Sequence, residues 1–319
     1  MMEILKSDKS YKSRFRQYME SKNHAQSTQA GYLKYVELFL AWYKHDPLNC
    51  TKKDILDYLA YLKKHTKQQN SSRRSSITAL NHYFNALMQA EIINHNPVAR
   101  VKMRGANKKQ LYKIYTPEEL TQLADNFYTL FISGFDDSYM KYPTKKHRSY
   151  LSRHRNYAML TFLLFQGLPT TELTKISIDD IDLAKAKVKM KSDKQGNERT
   201  MPIQAAQMGT LIHYINNIRP LYLEQCGETD RLFFSLSAEQ YDKTFSKPLR
   251  KLTKQVKSID RNFINFAQTR ASVITHWIQT EGLRKAQYLA GHRNIASTEM
   301  YLPNDINSLM NDIQKFNPF

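Results

Sequence analysis

The chain reads as blocks of helical periodicity separated by short polar stretches, with one interruption near its middle. Residues 10–45 carry a pair of such blocks. In the second, Tyr32, Tyr35, Val36, Phe39, Leu40 and Trp42 recur at helical spacing, which places them along one face. Ser27 or Thr28 stands where a cap for this helix is needed. Thr51 starts another helix, with Asp54 three residues on making a near capping box and Ile55, Tyr58, Leu59 and Leu62 forming the apolar stripe. The polar, basic stretch 63–76 reads as a loop. Ile77, Leu80, Tyr83, Phe84 and Leu87 then mark one side of a helix that ends before Asn96-Pro97. The pattern predicts a compact helical domain over residues 1–105.

Periodicity stops in RVKMRGANKKQLYKIY (100–115), and residues 106–115 read as a basic linker. It is either a solvated connector or a strap along phosphates. Five cations and no acid among residues 100–109 favour the strap. The second domain, 116–303, opens on TPEEL, with Thr116 as cap, Pro117 at the first helical position and Glu119 completing a capping box. Residues 134–152 read as an irregular basic surface loop, and 155–168 as a buried helix. The interruption follows. Ala184, Ala186, Val188 and Met190 alternate with Lys185, Lys187, Lys189 and Lys191, the period of a strand. A turn at Asp193–Asn197 leads to a second strand with Arg199, Met201 and Ile203, a hairpin with Lys194 in its turn. Helical patterns fill 204–316. The expected fold is mainly α with a small β-hairpin or sheet: a helical N-terminal domain and a mixed α/β second domain.

Composition narrows the function. At 41% hydrophobic residues the 319-residue chain has enough apolar content for ordinary cores. The N-terminus lacks the apolar region of a secretory signal, and no apolar run approaches the ~18 residues of a membrane span. Cys50 and Cys226 lie far apart and match no metal-ligand spacing, so a reduced cytoplasm is the natural setting. The net charge is +19, of which +12 falls in residues 1–110. Such an excess points to a polyanion, DNA or RNA.

Candidate chemistry sits near the C-terminus, in GHRNIASTEMY (291–301). Taken with FAQTRASVITHWIQTEGLRKAQYLA before it, the hairpin KSDKQGNERTMPI (191–203) and the helix RNYAMLTFLLFQGLPTTEL (155–173), this order of blocks resembles the tyrosine recombinases of the phage integrase family. The resemblance covers nearly the whole length, residues 1–105 matching the family's helical core-binding domain and 116–303 its catalytic domain. It implies that Tyr301 attacks the scissile phosphate to form a 3′-phosphotyrosyl link, that Arg270 holds phosphate oxygens with its guanidinium fork, that Lys194 protonates the leaving 5′-oxygen, and that His292 hydrogen-bonds the phosphate. Each residue also has a plain reading: a packed helix aromatic, a buried ion pair, a solvated turn lysine, a capping surface histidine. Lys191 is the alternative to Lys194.

The resemblance further implies two domains clamping double-stranded DNA, no metal or other cofactor, assembly into a tetramer on DNA, and accessory DNA-bending proteins as partners. The stripe Ile306, Leu309, Met310, Ile313 and Phe316 makes 304–319 a tail that docks on a neighbouring protomer or packs on its own domain. Nucleoid association and a mobile-element context follow from the same likeness.

Two positions depart from the family pattern. Pro169 stands where the pattern has its first arginine, and Ala267 where it has a histidine three before Arg270. Losing one oxyanion-type donor costs roughly 10²–10³ in rate. Three readings follow: another cation substitutes (Arg153, Arg155, Lys175 or Arg293), the enzyme is slow, or the chain is a catalytically impaired DNA-binding relative. A type IB topoisomerase and a basic RNA-binding protein are the more distant alternatives.

Overall fold

The computed structural model describes residues 2–103, 112–191, 196–235 and 245–302. The chain divides into two compact units, residues 1–109 and 110–319.

Four helices build the first unit: α1 (Met2–Ser21), α2 (Gln26–Tyr43), α3 (Lys52–Lys64) and α4 (Asn70–Gln89). Their apolar stripes meet around Phe39, whose ring stacks on Tyr43 at 5.4 Å and meets the edge of Tyr58 at 5.1 Å. Val36, Ile55, Leu80, Tyr83, Phe84 and Leu87 are buried with it. Thr51 and Asp54 form a full reciprocal capping box. Two expectations fail. Neither Ser27 nor Thr28 caps α2: the cap position is Ala25, two residues before Ser27, extended and with no side-chain cap, because buried apolar residues such as Val36 and Phe39 rather than a cap anchor the helix. The basic loop is also shorter than the polarity of 63–76 implied, since α3 runs to Lys64 and α4 starts at Asn70. Its serines and arginines form the exposed and half-buried first turns of α4.

The second unit is organised around α6 (Pro143–Phe165). The run Ala158–Leu164 is buried all round, as befits a helix enclosed by its neighbours. Against it pack α5 (Pro117–Tyr128), opened by the predicted Thr116–Glu119 box, and α8 (Ala205–His213), α10 (Ser246–Ile259) and α11 (Phe266–Ala290). The short α7 (Thr170–Leu173), α9 (Arg219–Cys226) and α12 (Ala296–Glu299) complete the helices. Residues 134–152, expected as a loop, are helical from Pro143 onward, where proline takes the first helical position.

The sheet has three antiparallel strands in the order β1 (Ile181–Asp182), β2 (Lys187–Met190), β3 (Arg199–Pro202). The hairpin pairs Met190 with Arg199 and Val188 with Met201. The alternating run begins before the strand does: Ala186 has φ 49°, a turn conformation that separates β2 from β1, which the sequence reading missed. Tyr115, placed in the linker by sequence, is buried in this unit, its N–H bonded to Ser272 Oγ at 2.9 Å and its hydroxyl to Asp260.

Candidate active site

Three short segments meet beside the N-terminal part of α11. They are the bend Gly167–Leu173 after α6, strand β3, and the turn Gly291–Tyr301 after α11. The side chain of Asn265 caps α11 by accepting from the N–H groups of Ala267 and Gln268. Arg270 lies one turn in. Its Nη1 donates to the Gly167 carbonyl at 2.7 Å, and its Nη2 donates to the Ala290 carbonyl at 2.8 Å. No carboxylate shares these contacts, so the buried ion pair that sequence left open is absent at this arginine among the described residues. Burial pushes the guanidinium's pKa down, while the nearby Tyr301 and Glu172, including a hydrogen bond with Tyr301, pull it back up.

His292 Nε2 is 3.1 Å from Arg270 Nη2, and Nδ1 is 2.9 Å from the buried Thr298 hydroxyl. An arginine only donates, so Nε2 is the acceptor and the ring proton sits on Nδ1. Burial, then Arg270 and Arg199, push the His292 pKa down to about 4. The ring is therefore neutral at pH 7 and offers a lone pair rather than a charge. Tyr301 lies face to face on it, ring centroids 5.9 Å apart and planes 12° from parallel.

A second arginine, which the sequence placed only as a residue of the second strand, belongs to the same place. Arg199 projects from the inner face of β3 and is 2% exposed. Its Nε donates to the Leu289 carbonyl at 2.8 Å, and its Nη2 meets Glu172 Oε2 at 2.5 Å. Gly291 is needed above it. A Cβ there would come 2.3 Å from Arg199 Nη1, and φ is 71°, the left-handed region that favours glycine. Asn197 N–H donates to the Gly291 carbonyl at 3.0 Å, and Gly196 bridges to His292. The hairpin is thus fastened to the turn that carries His292. Its own cue in the sequence was an arginine on the apolar face of a strand, a position that demands a buried partner.

Pro169 has φ −66° and ψ 145° and is the cap residue of α7; its carbonyl accepts from the N–H groups of Glu172 and Leu173. Ala267 is exposed on the first turn of α11. Of the four cations proposed to substitute for the absent arginine, two are committed elsewhere. Arg155 is buried against the Phe234 carbonyl, and Arg153 lies 3.6 Å over the Phe135 ring. Lys175 is exposed and shares a cavity of about 410 Å³ with Glu172; Arg293 is exposed beside His292. Lys194 and the tail 304–319 lie outside the described residues. The alternative lysine, Lys191, pairs with Asp180 at 3.1 Å.

The Phage integrase family matches residues 143–307, and the N-terminal SAM-like domain of phage integrases matches residues 12–94. The first match covers more than half of the chain, which therefore belongs to the phage integrase family, the site-specific tyrosine recombinases that cleave and rejoin DNA. A tyrosine recombinase of Pseudothermotoga lettingae is 24% identical over 281 residues, 86% of each chain. The Tn1549 transposon integrase in complex with transposon right end DNA shares the fold with a TM-score of 0.64 at 14% identity, over 96% of this chain and 98% of that one. A lambda integrase tetramer bound to a Holliday junction does so with a TM-score of 0.60 at 18% identity, over 92% and 76%. Among the described residues no helix is long and apolar enough to cross a membrane.

Proposed function

We propose that this chain recombines double-stranded DNA at specific sites through a phosphotyrosyl intermediate on Tyr301, integrating, excising or inverting a DNA element. The observation that carries this reading is the stacking of Tyr301 on a neutral His292 that is itself bonded to Arg270. The tyrosine oxygen attacks phosphorus and the bond to the 5′-oxygen breaks. The phenol proton is lost and the leaving oxygen gains one. The ester so formed keeps the bond energy, and a 5′-hydroxyl reverses the step on another end without ATP. Arg270 faces the charge that develops on the phosphate oxygens. His292, whose lone pair accepts from Arg270, orients that guanidinium and supports the phenol ring by stacking, and the phenol proton passes to solvent. Lys194 is the proton donor for the leaving oxygen.

Pro169 and Ala267 remove two of the pattern's polar contacts. Arg199, held on Glu172, adds positive field beneath the site but is too buried to touch DNA, and Lys175 and Arg293, both exposed, are the cations proposed to meet the phosphate in place of the absent arginine. The tetramer of the lambda integrase supports assembly of four protomers on DNA, with the tail 304–319 as the docking segment. DNA-bending proteins are the accessory partners in keeping with such assemblies, and the DNA-rich cytoplasm is the setting.

The test is recombination between two copies of a candidate site, sought as inverted repeats in the DNA beside the gene, read by sequencing the new junctions. Junctions formed by the native chain and absent with Tyr301→Phe support the reading, and their arrangement distinguishes integration, excision and inversion. Selective binding to the repeats with no junctions makes the chain a DNA-binding relative without catalysis.

A further inference from the structure

At the opposite end of α6 from the active site lies a cavity of about 270 Å³ with an aromatic lining. Tyr150, His154 and Tyr157 follow one another on one stripe of α6 and form one wall. His213 and Gly209 on α8 face them, and Tyr128 closes the end. The rings already touch one another: Tyr150 and His154 at 4.5 Å, His154 and His213 at 4.8 Å, Tyr128 and Tyr157 at 5.4 Å between centroids. From Tyr150 to Phe165 the helix rises about 22 Å, so this cavity is separate from the Arg270–Tyr301 cluster.

Two further observations mark it as a binding site. π-helical turns follow the lining on both sides. Thr129–Ser133 begins directly after Tyr128, and Tyr214–Ile218 directly after His213. Such turns are rare and are frequent at functional sites. Finally, a Cβ placed on Gly209 would meet nothing within 4 Å, so the helix leaves the space open.

The lining selects the ligand. It presents aromatic rings with tyrosine hydroxyls and the Thr210 hydroxyl among them, and His154 is held neutral, its pKa pushed down to about 4 first by burial and then by His213 and Arg153. A phosphate or carboxylate would find no cation among the lining residues, whereas a flat heteroaromatic ring with an acceptor at its edge would be stacked and hydrogen-bonded. Next to the cavity the chain turns basic: residues 139–150 hold four Lys/Arg and no acid, with Lys141, Lys145 and Arg148 exposed beside exposed Tyr139 and Tyr142. Rings that stack bases next to cations that track a backbone are how proteins hold unpaired nucleic acid.

We propose that this cavity receives the base of an unpaired nucleotide, with the adjoining phosphates on the basic N-terminal turns of α6. A base within a duplex cannot enter it, so the ligand is single-stranded or carries an extruded base. The site lies outside the cluster around Tyr301 and does not depend on cleavage.

The test uses the full chain and a short single-stranded oligonucleotide carrying 5-iododeoxyuridine. Long-wavelength irradiation should cross-link it to Tyr128, Tyr150 or Tyr157, mapped by mass spectrometry. Gly209→Leu, which fills the open space and suits a helix, should weaken single-strand binding about tenfold and leave duplex binding unchanged. Tyr150→Ala removes one ring of the wall and should weaken it several-fold. Thymidine monophosphate as competitor separates two forms of the site. Competition means that a base with one phosphate suffices; its failure, with binding still sensitive to Gly209→Leu, means that the neighbouring phosphates are required. Cross-links confined to other residues, with affinity untouched by both substitutions, would overturn the proposal.

Discussion

The interior of the first unit is ring packed on ring around Phe39, with few polar groups enclosed, Ser76 and the Tyr83 hydroxyl among them, whereas the interior of the second is threaded with polar groups. Arg153, Arg155, Arg199 and Asp180 are all buried there, together with Gln166, Gln207, Gln268 and several Thr and Ser side chains. The first kind of core needs only shape and area. The second must satisfy every donor and acceptor it removes from water, and any group left alone is destabilising. The candidate active site is built from that second kind of interior. Arg270 and Arg199 are held by backbone carbonyls and Glu172, and His292 by Arg270 and Thr298. A rigid polar frame of this sort holds groups in place for charge that appears only in the transition state.

The contrast can be broken at several points. On the proposed function, Arg270→Ala should lower the rate of covalent adduct formation about 10²–10³-fold; circular dichroism checks that the loss is not one of folding, since the side chain also holds the Gly167 and Ala290 carbonyls. Glu172→Gln leaves Arg199 charged, buried and unpaired, and should destabilise the second unit by about 3–5 kcal/mol in urea denaturation. Phe39→Ala acts on the other kind of core: a loss of about 3–5 kcal/mol confined to the first unit, from lost burial and the cavity left behind. If the two substitutions melted both units together, the description of two separate interiors would be wrong.

Acid should find the second unit first. His292 and His154 have folded pKa values near 4 against an ordinary 6.5. Between those values the unfolded chain binds more protons, so the stability they contribute is present above about pH 6.5 and is lost as pH falls towards 4. Thermal melting across that range should show the second unit's transition dropping, and His292→Gln should flatten the slope. His82 in the first unit is shifted the same way by burial, so that unit should show a weaker trend rather than none. The smallest effect is Thr51→Ala, about 1 kcal/mol off the first unit by loss of its cap.

What could be read from the sequence divides along the same line. The stripes of α2, α3 and α4, the boxes at Thr51 and Thr116 and the hairpin were legible because each is a pattern within a few residues. The start of α2 was not, because packing outweighed the serine and threonine that offered to cap it. Residues 134–152 looked like a loop because the polar, basic run 144–149 carries no apolar stripe to show that the helix read at 155–168 already begins at Pro143. For the site, sequence supplied Arg270, His292 and Tyr301, and the structure brings them together. It missed Glu172 and Arg199, whose partners are 27 and 90 residues away in the chain. Thr298 was missed too, since a hydroxyl facing a ring nitrogen leaves no mark on spacing. Pro169 was legible as a loss, and its role as the cap residue of α7 emerged only with the backbone.

The most direct test of the account is whether Tyr301 becomes covalently joined to DNA. Nicked duplexes carrying a site that the chain binds selectively trap such a link by letting the short 5′ fragment diffuse away. An SDS-resistant adduct whose nucleotide maps to the peptide containing Tyr301, and which vanishes in Tyr301→Phe, is the predicted result. Salt-sensitive, site-selective binding with no adduct would contradict it and make Pro169 and Ala267 the marks of a protein that holds DNA without cutting it.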